Sequence, residues 1–152
     1  MEKVASDKYL GDIIADNGSN TLNIKDRVGK GIGKINEIVS ILETISFGHK
    51  YFRIVVLLRE AMLLNSILTN AEIWYGLKSC EILELEDLDR RLLRRAFKCP
   101  VTTPKEAYYL ELGILPINII LKARRAKYFH YLVNSDPQGM LFKFFHTMYE
   151  NP

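Results

Sequence analysis

From Ile24 to about Tyr149, apolar residues recur at spacings of three and four, and the recurrence breaks only at glycines and prolines. That spacing places apolar side chains on one stripe of a helix, which must be covered by another helix. A chain patterned in this way is committed to helices packed on one another. Val28, Ile32, Ile35, Val39 and Leu42 predict a first helix, ended by Gly48. A second runs from about Tyr51 to Tyr75, apolar nearly all round and therefore central, with Gly76 as its stop. A third spans about Glu81 to Lys98, with Ile82, Leu85, Leu88, Leu92 and Ala96 facing the core. Pro100 breaks the chain, and Thr103-Pro104-Lys105-Glu106 supplies an N-cap, a proline at the first helical position and a capping-box glutamate. That short helix stops at Gly113, Pro116 opens another to about Asn134, and Asp136-Pro137 opens a last one to about Tyr149.

The first 22 residues follow a different pattern. Lys8 to Ile14 is β-like and Asp16-Asn17-Gly18 is a strong turn signal, so a short hairpin is expected there. A lone hairpin is marginal in water. It must pack on the helices, pair with a second copy, or be the edge of a larger sheet. The expected fold is mainly α: a bundle of about six helices over 23–152, preceded by a β-hairpin over 1–22. A length of 152 residues with 48% hydrophobic content suffices for one core. No internal repeat or low-complexity tract interrupts it.

Charge is distributed unevenly although the formal net charge is only +3. Arg90, Arg91, Arg94, Arg95 and Lys98 fall on a helical arc roughly 140° wide with no acid among them. Glu86 and Asp87 can pair with Arg90 and Arg91 at i, i+4, and cations suit the end of a helix. Arg94, Arg95 and Lys98 are left without a local acid. A second cluster is Lys122, Arg124, Arg125 and Lys127, with no acid between Glu111 and Asp136. Its arginines either snorkel along the core edge or face an anion, with Tyr128 and Tyr131 nearby as stacking or structural groups. A third is Lys25, Arg27, Lys30 and Lys34, interleaved with Gly29, Gly31 and Gly33. Each glycine costs a helix about 1 kcal/mol against alanine, and close approach of another backbone is one reason to keep it. Three acid-free clusters point to a phosphate backbone as partner.

Other chemistries find little footing. Cys80 and Cys99 bracket the third helix, roughly 28 Å apart at 1.5 Å per residue, so no disulfide is expected. The two cysteines and three histidines lack zinc spacing, and Glu84, Glu86, Asp87 and Asp89 scatter around a helix, so no metal or cofactor is expected. His49, His130 and His146 lie beside no nucleophile motif. The longest apolar run, Ile54 to Leu58, is too short for a bilayer. Few cysteines and no apolar leader imply a reducing, intracellular setting.

The order of segments resembles a known family. Lys8-Tyr9-Leu10-Gly11, Arg27 with the glycine-rich run, Leu63 to Trp74, Leu88 to Arg94, Tyr109-Leu110-Glu111-Leu112-Gly113-Ile114-Leu115-Pro116 and Arg124-Arg125 are similar to the region after the palm in reverse transcriptases of non-LTR retrotransposons. The resemblance covers nearly the whole chain and rests on order and spacing. It implies a primer-grip hairpin, a helical thumb with its C-terminal extension, a nuclear setting and an RNA–DNA or DNA duplex held through phosphates. In that family palm aspartates hold the catalytic metals; this chain contains no Asp-Asp, so no catalysis is expected of it alone. The implied nucleic-acid contacts are Lys25, Arg27, Lys30, Lys34, Arg94, Arg95, Lys98, Lys122, Arg124, Arg125 and Lys127. An upstream palm and fingers, and a homodimer through the hairpin edge, stand as further partners. The competing class is a protein-interaction scaffold, with Phe142, Phe144, Phe145 and Tyr149 as its aromatic surface.

Overall fold

The computed structural model describes residues 6–9, 11–74, 76–135, 139, 140 and 143. Strands β1 (Ser6–Tyr9) and β2 (Asp12–Ala15) form an antiparallel hairpin in the register Tyr9↔Asp12 and Ser6↔Ala15. Only residues 10 and 11 separate them, with Gly11 at φ +90°, a value glycine adopts without strain. The hairpin turn is therefore earlier than Asp16-Asn17-Gly18. Those three residues instead close β2, with the Gly18 N–H donating to the Ala15 carbonyl at 3.0 Å, and aim the chain into the first helix.

Helix α1 (Thr21–Glu43) ends at the Thr44 cap, short of Gly48. Of the expected stripe, Ile35, Val39 and Leu42 are buried and Val28 packs partly buried against the core. Ile24, Ile35, Ile38, Val39 and Leu42 are buried together with Gly31 and Arg27, whereas Ile32 is 43% exposed. Gly31 lies where a hydrophobe would fit the pattern, and the reason is steric. A Cβ there would meet Leu88 Cδ1 at 2.7 Å and Ile67 Cγ2 at 2.9 Å, so neighbouring side chains already fill the position.

The second helix is continuous over 51–67 but not uniform. It comprises α2 (Tyr51–Leu58), a π-helical stretch over Arg59–Leu64 and the short α3 (Asn65–Ile67). It stops eight residues before Tyr75 because Asn70 adopts a left-handed conformation at φ 59°, leading to a 3₁₀ turn over Ala71–Ile73. Its apolar composition overstates its burial: Phe52 and Leu57 remain exposed. Helix α4 (Ser79–Phe97) buries Leu85, Leu88, Leu92 and Ala96 as the spacing requires, and adds Leu93. Its N-terminus is closed by Glu81, whose carboxylate accepts the Lys78 N–H at 2.9 Å. Helices α5 (Lys105–Leu112) and α6 (Ile117–Val133) follow Pro104 and Pro116, each proline sitting just outside its helix. The cap position of α5 is Pro104 and not Thr103, and it makes no side-chain capping bond. The expected final helix over 136–149 lies mostly outside the described residues.

The architecture is mainly α with an N-terminal hairpin. The core is one cluster of α1, the 51–67 helix, α4 and the starts of α5 and α6, centred on Ile38, Leu63, Ile67, Leu85, Leu92 and Ile117. Among the described residues no helix is long and apolar enough to cross a membrane.

Candidate nucleic-acid interface

Close packing of α1 against Leu88 and Ile67 decides which basic side chains of α1 reach solvent. Arg27 does not. It is 4% exposed, donates to Asp12 Oδ1 at 2.6 Å and to the Ser66 carbonyl at 3.2 Å, and lies over the Trp74 ring at 5.8 Å. Asn70 Nδ2 donates to the other Asp12 oxygen at 2.7 Å, and Asn23 Oδ1 accepts the Ile13 N–H. Burial alone would raise the Asp12 carboxyl, but the hydrogen bonds and charge of Arg27, with Asn70 and Asn23, outweigh it and hold it below its ordinary value. Arg27 thus pins the hairpin onto α1 and is withdrawn as a phosphate contact. Helical spacing alone could not separate it from Lys30 and Lys34, because its acid lies 15 residues away on another element.

Lys30 and Lys34 stay at the surface, each beside one carboxylate: Asp26 at 2.5 Å and Glu37 at 2.7 Å. Such exposed pairs contribute roughly 0.2–1 kcal/mol and exchange readily for a phosphate. Lys25 is exposed with no ion pair among the described residues. Between these side chains runs a bare ridge. Gly29 and Gly33 are exposed, and a Cβ on either would meet nothing within 4 Å. Their cost to the helix therefore has no compensation in internal packing, in contrast to Gly31.

The opposite edge of the ridge is formed by α4. Arg95 Nη1 donates to Asn36 Oδ1 at 2.7 Å, joining the C-terminal half of α4 to α1. Arg91, Arg94 and Arg95, with Ile32, Ile35 and Cys99, line a cavity of about 250 Å³ between the two helices. Arg90 is taken by Asp87 at 2.9 Å, at i, i+3. The expected Glu86–Arg90 and Asp87–Arg91 pairs do not form, because Glu86 holds Lys105 at 2.6 Å and Asp87 holds Arg90. Lys98 ends α4 in a left-handed conformation at φ 52°, exposed.

The α6 cluster divides. Arg124 Nη1 donates to the Leu68 carbonyl at 2.8 Å and Arg125 Nη2 to the Trp74 carbonyl at 2.7 Å. Both arginines hold the 68–74 connection, so neither is free to grip phosphate. Lys122 and Lys127 are exposed, and Tyr128 stacks on Tyr131 with ring centroids 6.3 Å apart. Sequence reasoning missed the buried acids altogether: Asp89 is fully buried and accepts two bonds from Arg59, at 2.7 and 2.8 Å. Lone acids on an apolar helix face carry that signal only weakly.

Among the described residues no group of three or more His, Cys, Asp or Glu could hold a metal, and both cysteines are free thiols. Compared with family models, curated proteins and solved structures, the chain finds no match.

Proposed function

We propose that the chain is a non-catalytic nucleic-acid-binding module that holds a template–primer duplex by its phosphates, in the manner implied by its resemblance to the thumb of non-LTR retrotransposon reverse transcriptases. One observation carries the reading. The ridge of α1 presents Gly29 and Gly33 with open space above them, between Lys25, Lys30 and Lys34 on α1 and Arg91, Arg94 and Arg95 along α4. A helix without side chains on its outer face lets another backbone approach closely, and cations on either side suit the two strands of a duplex. Contacts of this kind grip without reading bases. An intracellular, nuclear setting and an upstream palm and fingers follow from the same reading.

The test is the salt dependence of binding to an RNA–DNA and a DNA duplex. Engagement of about four to six phosphates gives a log affinity against log salt slope of roughly −4 to −5, with little dependence on sequence. Replacing Lys25, Lys30 and Lys34 by glutamine flattens the slope by about two to three units, whereas replacing Lys122 and Lys127 changes it little. Negligible affinity at low salt, or an unchanged slope in the α1 triple variant, rejects the reading.

A second reading is a protein-interaction or self-association scaffold. The observation behind it is a groove whose apolar residues are Phe52, Val56, Leu57 and Leu112, rimmed by Arg53, Glu60 and Glu111. Sedimentation at rising concentration discriminates: association abolished by Leu57→Glu, with no duplex binding, favours the scaffold.

A further inference from the structure

The cavity between α1 and α4 is not a track. Three arginines, Arg91, Arg94 and Arg95, line it, together with Cys99, the buried Ile35 and the more exposed Ile32. None of its lining residues is acidic. Arg95 is bonded only to the neutral Asn36, and Arg91 has no ion pair among the described residues. Favourable charges at the end of α4 explain one or two cations, not three converging on a hollow. A volume of about 250 Å³ falls below the usual range of roughly 300–1,000 Å³ for whole small-molecule ligands, so it suits a group rather than a cofactor.

We propose that this cavity is a receptor for a terminal phosphate, a phosphate monoester at the end of a nucleic-acid strand, with the guanidinium groups of Arg91, Arg94 and Arg95 as donors. An internal phosphodiester carries a single charge and two ester links that must leave the cavity on both sides. A monoester carries about −1.5 to −2 charges and three acceptor oxygens, and it enters from one side. Planar guanidinium forks match those oxygens in pairs. The attached sugar would rest near Ile32, which is 43% exposed at the mouth. The proposal rests on the nucleic-acid reading for the remainder of the ligand, but the chemistry recognised is that of any phosphate monoester, including a small phosphorylated molecule.

The test uses the whole chain and three probes: inorganic phosphate, and one oligonucleotide duplex with either a phosphate or a hydroxyl at its 5′ ends. The Arg Nε–Hε resonances are followed by NMR, and affinity by titration. The expected result is a saturable shift of Arg94 Nε–Hε with inorganic phosphate and a preference of about tenfold or more for the phosphorylated duplex. The preference should be lost in Arg94→Gln and, as a variant at the exposed rim that leaves the helix packing untouched, in Arg91→Gln. A phosphate shift without binding of either duplex supports the pocket and assigns it to a small phosphorylated ligand, while sinking the duplex reading. Equal affinity for the two duplexes, insensitive to both variants, overturns the pocket and leaves the α1 ridge standing. No response of Arg94 to inorganic phosphate also overturns it.

Discussion

Two buried arginines hold this molecule together by the same device, a guanidinium against one carboxylate with a backbone carbonyl as second acceptor. Arg59 takes Asp89 and the Leu115 carbonyl at 2.9 Å; Arg27 takes Asp12 and the Ser66 carbonyl. Removing one member strands a buried charge, so Asp89→Ala should cost about 3–5 kcal/mol in urea denaturation. Arg59→Met with Asp89→Leu should recover much of that loss, because neither side then buries an unpaired ion. Asp12 adds a pH dependence. Its carboxyl is held below the ordinary 3.8, so its contribution is present above that value and disappears as pH falls through the lowered one. Acid unfolding should therefore steepen below about pH 4, and Asp12→Asn should be less stable at neutral pH yet less acid-sensitive, as read by Trp74 fluorescence. Tyr109 is pushed upward, first by burial and then by the neighbouring Asp89 and Glu86, which keeps its hydroxyl neutral.

Helix α1 carries the sharpest contrast between a structural and a functional glycine. Gly31→Ala would press a methyl into Leu88 and Ile67 and should destabilise by about 1–3 kcal/mol. Gly29→Ala and Gly33→Ala meet open space and should each stabilise by roughly 1 kcal/mol. If the ridge is a contact surface, those same two variants should weaken duplex binding while raising the melting temperature. Calorimetry and titration on one set of proteins check both halves; stabilisation with unchanged affinity would remove the glycines from the interface. The periodicity of α1 and the buried Ile35, Val39 and Leu42 of its stripe were legible, but the packing of its N-terminal half was not. The sequence pattern favoured Ile32 as a core residue, whereas the packing chose Gly31 and Arg27, because the partners Ile67, Leu88 and Asp12 come from distant elements.

At the scale of the whole molecule, Trp74 reports on assembly. It is the single tryptophan, 3% exposed, with Arg27 over its ring and its carbonyl bonded to Arg125 of α6, and it lines one cavity with Ile13 and Ile14 of the hairpin. Hairpin, α1 and α6 therefore meet at one residue. Urea unfolding followed by Trp74 fluorescence and by helical circular dichroism should superimpose as one transition; an earlier fluorescence change would mean that the hairpin undocks first. The mainly α class, the helices near 81–98 and 116–134, and the basic clusters could be read from the chain alone, since spacing of apolar residues and placement of Pro and Gly act locally. Local rules also placed a hairpin at the N-terminus, though they chose the wrong turn, Asp16-Asn17-Gly18 in place of residues 10–11. What only the tertiary structure decided is which cations are available. Arg27, Arg124 and Arg125 are consumed by an acid and two carbonyls far away in sequence, while Arg91, Arg94 and Arg95 converge on a cavity that exists because α1 and α4 pack together. Charge is a property of the residue; its freedom is a property of what the fold brings beside it.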